Sequence, residues 1–507
     1  MATFAELLAD PELTRAYLVQ VAGWDPIGVA VVTSYFSSSE ATQGVYSGVF
    51  WKSRLKTAID FTASLGSMIE PRGEMSGGRV EIVVSDGDLD ALFGYYFEGR
   101  PITVYMGDPA QPGSAFGEVM DGTVATASWD TNVLRFVLRD GRFVLNRPIQ
   151  TTVYAGTGGV EGGADLKNKL KPLAFGQVRN AEPVITDQTN LVMQVHERSV
   201  YSLSVVYDRG VELTIDGADA ADYTALLAWT PVAGKYKTCK ALGMIRLGSA
   251  PVGPVTVDFL GDNTGGYVDT AGTIIQRIVD WKAGGVPPDD ATAFSTVETA
   301  RPWVCGLYLR DGEGTMNDAI DRLAGSIGAW TDVSATGDLT IGILAFGTSI
   351  LTIDENDYSN LEAIATPSPP SKVTIGYRRS QLVQEIGDIA AAATAARKAF
   401  VAVPYRYESA TGVTLTQYPA ADEYIRDTNL DVLANASTLA TAIKDLVSAG
   451  KRQWTLTVVK VQHKLKRGDT ITIKHPQYFA TGRNFLVQTI SETVGDGARV
   501  TRLQVYG

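Results

Sequence analysis

The chain has 507 residues, of which 45% are apolar and 20% charged, ordinary values for a globular protein of about three or four domains with ample core. Its formal charge is 44 − 56 = −12. That balance excludes a general nucleic-acid-binding surface, which needs clustered Lys and Arg, although not a channel that DNA slides through. Cys239 and Cys305 are the two cysteines, too few and too far apart for a disulfide framework or a CxxC metal site. They read as buried thiols in a reducing compartment. No apolar run reaches the roughly 18 residues of a membrane span. The opening MATFAELLADPELTRAYLVQV lacks the basic and apolar regions of a signal peptide, so folding in the cytoplasm is expected.

In chain order, strand signals dominate. GRVEIVVSDGDLDAL and RPITVYMGD are β-rich runs ended by Asp and Gly. SWDTNVLRFVLRDGRFVL predicts strands on either side of tight turns, with Leu134, Phe136 and Leu138 on one face. YAGTGGVEGGADLKNKLKPLAFGQVRNAEP crowds six glycines into residues 156–176 beside three lysines. VYSLSVVYDRGVELTID predicts a hairpin turning at Asp208-Arg209-Gly210.

Helices are fewer. TIIQRIVDWKAGG places Ile275, Ile278 and Trp281 at helical spacing before two glycines. TMNDAIDRLAGSIGA starts at a Thr315 cap and stripes Met316, Ile320 and Leu323. The alanine-rich EIGDIAAAATAARKAF predicts a helix by propensity, and NASTLATAIKDLVSAGK predicts another ending at Gly450. TPSPPSKVTIGY, with Pro367, Pro369 and Pro370, punctuates the chain before a strand. The expected division is an N-terminal β domain at 1–155, a central region of β-barrel and α+β elements at 156–370, and a C-terminal region at 371–507. In the last, a helical insertion precedes strands.

Each motif that suggests chemistry has a simpler reading. A dinucleotide loop needs a third glycine where Glu161 stands, and a carboxylate there repels phosphate. A P-loop fails because Ala164 and Asp165 follow Gly163. The glycines read as a joint between β units, with the lysines serving packing or neighbouring subunits. His196, His463 and His475 share no metal-ligand spacing, and His196 is placed in a strand beside a turn. AGSIG loosely matches a nucleophile elbow, yet a helical pattern precedes Ser326, which reads as a helix-terminus serine. Asp86, Asp88 and Asp90 have calcium-loop spacing, but Ala91 and Phe97 occupy the positions of the required Gly and Glu. IDENDYSN is a weaker version of the same pattern. Lys464, Lys466, Arg467 and Lys474 concentrate charge without interleaved aromatics, so the segment reads as the approach to a strand through a turn at 468–469. No catalytic, cofactor-binding or metal residue is nominated. Paired carboxylates of a glycosidase stay open, because geometry alone reveals them.

Four stretches in order resemble the central hub, or tail-tip, proteins of tailed bacteriophages. They are VSDGDLDALFGYYFEGRPITVYMGD, the glycine stretch continued through LVMQVHERSVYSLSVVYDRGVEL, GLYLRDGEGTMNDAIDRLAGSIGAWTDVSATGDLTIGIL, and KLKRGDTITIKHPQYFATGRNFLVQTISETVGDGARVTRLQVYG. Together they span about residues 80–507. The resemblance implies a mainly β fold with inserted helices and antiparallel, barrel-like tube domains. It implies a non-enzymatic homotrimer that needs no cofactor and presents pseudo-sixfold symmetry to a hexameric tail tube. The implied partners are a distal tail protein or tube ring, a tape measure protein and a central spike or fibre. Genomic DNA would pass the lumen without specific binding, and no stable membrane insertion is implied. The implied location is the virion tail tip, assembled in host cytoplasm, without a receptor-binding tip of its own. The rival readings are a tail-associated or secreted hydrolase of cell-wall polysaccharide and a monomeric carbohydrate-binding β module.

Overall fold

A computed structural model describes residues 2–10, 13–38, 44–46, 49–75, 78–111, 115–312, 314–458, 463–495 and 498–507. The chain is mainly β, with 42% of it in strands and 19% in helices, and among the described residues the sheets trace open paths without a closed barrel.

The N-terminal strands form one half of the largest sheet. Ala16–Asp25 pairs with Ala30–Ser37 on one side and Pro101–Gly107 on the other, both antiparallel. The path continues through Gly117–Trp129, Val133–Leu138 and Arg79–Val83 to Leu55–Gly66. Alternation decides which face is buried: Leu134, Phe136 and Leu138 all enter a core with Val80, Ile82, Ile102, Val104 and Met106. A short helix, Phe4–Ala9, is held by a capping box between Thr3 and Glu6.

The C-terminal strands form the other half. Gln453–Val458, Ala498–Tyr506, Phe479–Gly495 and Thr470–His475 are neighbours in antiparallel register. Two strands from the middle of the chain complete this half. Tyr358–Ile364 joins Gln453–Val458, and Leu351–Ile353 runs parallel to Thr470–His475. Leu456, Val458, Ile471, Ile473, Phe485, Val487, Leu503 and Val505 form a core separate from the first. The halves meet strand to strand. Leu55–Gly66 pairs with Phe479–Gly495, from Ser64 opposite Thr489 to Ile59 opposite Val494, producing one 16-stranded sheet.

In sequence, smaller sheets and most of the described helices come between these halves. Val200–Asp208, Val255–Asp262, Leu173–Ala181 and Gly306–Leu309 are consecutive neighbours in a five-stranded sheet. The helices Ala271–Ile278, Ala291–Ala300, Met316–Ser326 and Leu433–Leu446 surround the largest core. Thr315 caps its helix as the sequence predicts, in a box with Asp318. Arg209 and Gly210 both take positive φ in the expected hairpin turn between Val200–Asp208 and Val211–Glu212.

Three expectations are corrected. The alanine-rich segment is helical only at Ala395–Val401, with one 3-10 turn at Ile386–Asp388. Its remainder straps across the five-stranded sheet. Ala390 N–H donates to the Arg209 carbonyl, and Ile389 and Ala393 pack with Val211. Tertiary contacts therefore override alanine's propensity. Beyond Val133–Leu138 the chain forms a 3-10 turn, Gly141–Leu145, rather than a strand, because Asp140 caps the Arg142 N–H. His196 lies past the Val192–Gln194 strand, not in it.

Candidate functional site

The glycine stretch closes upon itself. Gly156, Gly158, Gly159 and Gly162 have φ of +72°, +94°, +60° and +68°, a region that side chains disfavour. Glu161, the residue that spoils the dinucleotide pattern, occupies the centre of the loop. It accepts from Ala155 N–H at 3.0 Å and from Lys171 Nζ at 2.7 Å. The Lys171 hydrogen bond holds the Glu161 carboxyl below the usual carboxylate range. Lys171 also stands over the Tyr154 ring at 5.2 Å, and the buried Tyr154 hydroxyl donates to Gln194 Oε1 at 2.7 Å. The Glu161 carboxylate thus already takes the Ala155 N–H and the Lys171 ammonium of this loop. Lys167 and Lys169 are exposed.

The other flagged residues have structural partners. Ser326 ends its helix, donating to the Arg322 carbonyl at 2.6 Å and accepting from Asn429 N–H at 2.8 Å. Asp86 pairs with Arg54, Asp88 pairs with Lys52 at 2.8 Å, and Asp90 opens a 3-10 turn. Asp354 of IDENDYSN pairs with Lys474 at 3.2 Å. Cys239 and Cys305 are buried free thiols. His475 Nδ1 accepts from the N–H groups of Gln477 and Tyr478. His196 is wholly buried: Nδ1 accepts from Ala174 N–H at 3.0 Å, which leaves Nε2 to carry the proton 3.5 Å from Asp262. Burial holds the His196 pKa below its ordinary value, although Asp262 pulls the other way. Among the described residues no three His, Cys, Asp or Glu side chains form a metal-binding group.

The densest polar constellation is a three-way junction that the sequence does not announce. The Arg467 side chain, only 8% exposed, reaches from the Gly468-Asp469 turn to the fully buried Asp332. It also donates to the carbonyls of Ser64 at 3.4 Å and Glu74 at 3.3 Å. Its guanidinium lies 5.5 Å from the Trp330 ring. Burial raises the Asp332 carboxyl, while Arg467 and Arg142 oppose that shift. Arg142, also buried, donates to Asp321 at 2.6 Å, Asn317 at 3.1 Å and the carbonyls of Gly73 and Thr331. Gly73 is required here: a Cβ would overlap the Asp332 side chain and lie 2.5 Å from the Thr331 carbonyl oxygen. These contacts bind the N-terminal strands, the C-terminal turn and the central helix Met316–Ser326 together.

The seam between the halves is polar as well. Thr62 and Ser491 hydroxyls are 2.8 Å apart, and Thr493 donates to Asp60 at 3.1 Å. Nearby, His463 Nδ1 lies 2.8 Å from the buried Glu492, and Nε2 lies 3.3 Å from the Tyr17 hydroxyl. Burial pushes the Tyr17 hydroxyl up to about 12. Sequence reasoning found Arg467 only as part of a basic run and missed Arg142, Asp332, Glu492 and Tyr17. The one signal of Arg142, Asp332 and Glu492 is charge inside apolar, strand-like runs, and it names no partner; Tyr17, uncharged, gives none. The arrangement holds strands and helices in register.

No family model matches the chain. No curated protein matches it. Solved structures do. A 43 kDa tail protein of prophage MuSo2 from Shewanella oneidensis is similar at 11% identity and a TM-score of 0.41, with 97% of each chain covered. A tail protein from Neisseria meningitidis is similar at 10% identity and a TM-score of 0.42, covering 91% of this chain and 94% of the other. A prophage tail protein from Listeria monocytogenes is similar at 8% identity and a TM-score of 0.40, covering 96% and 94%.

Proposed function

We propose that this chain is a non-enzymatic structural protein of a phage-type tail, the trimeric hub that joins a hexameric tube to a central spike or fibre. The observation that carries the reading is the pair of separately cored β halves, built from opposite ends of the chain and joined edge to edge at Leu55–Gly66 and Phe479–Gly495. Two wall segments per chain make six in a trimer, so a threefold ring offers a sixfold partner a matching rim. The order of the four hub-like stretches supports the same assignment. In this reading the halves serve as tube-like modules, and the ring lines the path of DNA during ejection. A net charge of −12 suits a wall that must not retain phosphates. A distal tail protein or tube ring and a tape measure protein are the further partners, and the virion tail tip is the location. No helix among the described residues is long and apolar enough to cross a membrane.

The test is the mass in solution by light scattering, alone and with a tail-tube protein. A threefold multiple of 54.2 kDa, or a monomer that forms a ring on the tube protein, supports the hub. A strict monomer that ignores tail proteins sinks it. A peptidoglycan zymogram tests the hydrolase reading separately, since a clearing band contradicts a purely structural role.

A further inference from the structure

The hairpin between Ala16–Asp25 and Ala30–Ser37 displays its apolar side chains outward. Ile27 is 92% exposed, Val29 70% and Val31 51%. Residues 26–39, PIGVAVVTSYFSSS, contain no charged residue. A strand at a sheet edge is normally guarded by Lys, Glu or Pro, because its free N–H and C=O groups invite another strand. No Lys, Glu or Pro stands within Ala30–Ser37. Ala30–Ser37 is hydrogen-bonded along its whole length to Ala16–Asp25. On the other side, among the described residues, it pairs with Val49–Ser53 only at Phe36 and Ser37.

The tip is also strained. Val29 has a φ of +50°, a left-handed conformation that a β-branched residue strongly disfavours. Glycine would fit without cost, yet valine stands there with its side chain in solvent. Strain and exposed apolar surface at one position are both explained by a contact with something else.

The surrounding charge identifies the kind of partner. Asp25 closes the hairpin, its carboxylate accepting from Ile27 N–H at 2.9 Å. Tyr96, bridged to Trp24 through both backbone groups, leads to the exposed Glu98. The cation on this end, Arg100, lies over the Trp24 ring at 5.7 Å. An acidic border repels an anionic lipid surface. A second copy that met this edge with its own would bring the same uncharged strand and the same two acids, Asp25 and Glu98, against the one Arg100 already stacked on Trp24.

We propose that the Ala30–Tyr35 edge and the Ile27–Val29 tip together accept an extended segment of a different protein. That segment pairs as an added strand, sets apolar side chains on Val29 and Val31, and places Lys or Arg beside Asp25 and Glu98. The proposal does not depend on the tail reading.

The test pans a displayed library of random 12-residue peptides on the immobilised full chain, with counter-selection on a Val31→Lys variant. Lysine at the edge blocks strand addition without touching a core. Circular dichroism and thermal unfolding confirm that the variant folds. Enriched peptides should alternate β-branched or aromatic residues and carry Lys or Arg. Binding of one such synthetic peptide should fall at least roughly tenfold in Val31→Lys and be unchanged in Val252→Lys, an exposed valine elsewhere. N-methylation of alternate peptide amides should abolish it. Val29→Gly should retain or raise thermal stability while weakening binding. Failure to enrich site-dependent peptides overturns the proposal, as does binding indifferent to N-methylation. So does flotation with phosphatidylcholine–phosphatidylglycerol vesicles that Val31→Lys abolishes, which assigns the tip to a membrane. Self-association that Val31→Lys abolishes assigns the edge to a second copy instead.

Discussion

Replacing Arg467 by leucine removes the cation facing Asp332 while keeping most of the buried volume. Asp332 is fully buried and the Arg467 side chain nearly so, so the variant removes the ion-pair partner of a buried carboxylate and leaves it only the weaker pull of Arg142. Breaking such a pair costs about 3–5 kcal/mol. The lost bonds to the Ser64 and Glu74 carbonyls are long, and each adds under about 1 kcal/mol. A total near 4 kcal/mol lowers the melting temperature of the affected unit by roughly 8–16 °C. The cost depends on pH with a definite sign. Burial already raises the Asp332 pKa, and losing Arg467 raises it further. The native variant then holds a proton that the unfolded chain, with its carboxyl near pH 4, has released. Its stability falls as pH rises through that window and recovers as pH drops toward about 4. Calorimetry and urea unfolding of Arg467→Leu at pH 5 and 7.5 measure this, beside the Arg467→Leu/Asp332→Leu double variant. The double variant should recover at least half of the loss, since an apolar pair leaves no buried charge. A single-variant cost below about 1 kcal/mol, or a double variant that simply sums two losses, would refute the reasoning.

Other outcomes follow from the same geometry. Burial holds the His196 pKa below its ordinary value, so below about pH 6.5 the unfolded chain binds a proton that the native state resists. Stability is lost as pH falls there, by at most about 1.4 kcal/mol per pH unit, and thermal melts of His196→Asn should show a flatter profile. Inorganic phosphate should not raise the melting temperature of the wild type, because Glu161 already fills the glycine loop; a rise of several degrees would contradict the loop assignment. Gly73→Ala should destabilise by about 1–3 kcal/mol in urea titration, because its Cβ meets Asp332 and the Thr331 carbonyl.

How much of this molecule could be read from its residues depends on the range of the interaction. The Asp208-Arg209-Gly210 turn and the Thr315 cap were legible because their physics acts within four residues: positive φ in one, a side chain reaching its own helix in the other. In the glycine loop the residues alone showed only that Glu161 stands where a dinucleotide loop has its third glycine. The alanine-rich segment misled because propensity is worth tenths of a kilocalorie per residue, and the contacts of Ile389, Ala390 and Ala393 with the sheet outweigh it. The seam lay beyond reading. Alternation tells which face of Leu55–Gly66 or Phe479–Gly495 is buried, but a period of two carries no name for the strand alongside. The same holds for charge: Arg467 belonged to a basic run, and only folding brought Asp332 and Trp330 beside it. By itself, then, the sequence determined the mainly β character, the local turns and caps, and the poor fit of phosphate and metal motifs. The tertiary structure alone decided which distant strands share an edge and which buried charges face each other, because those choices depend on global packing.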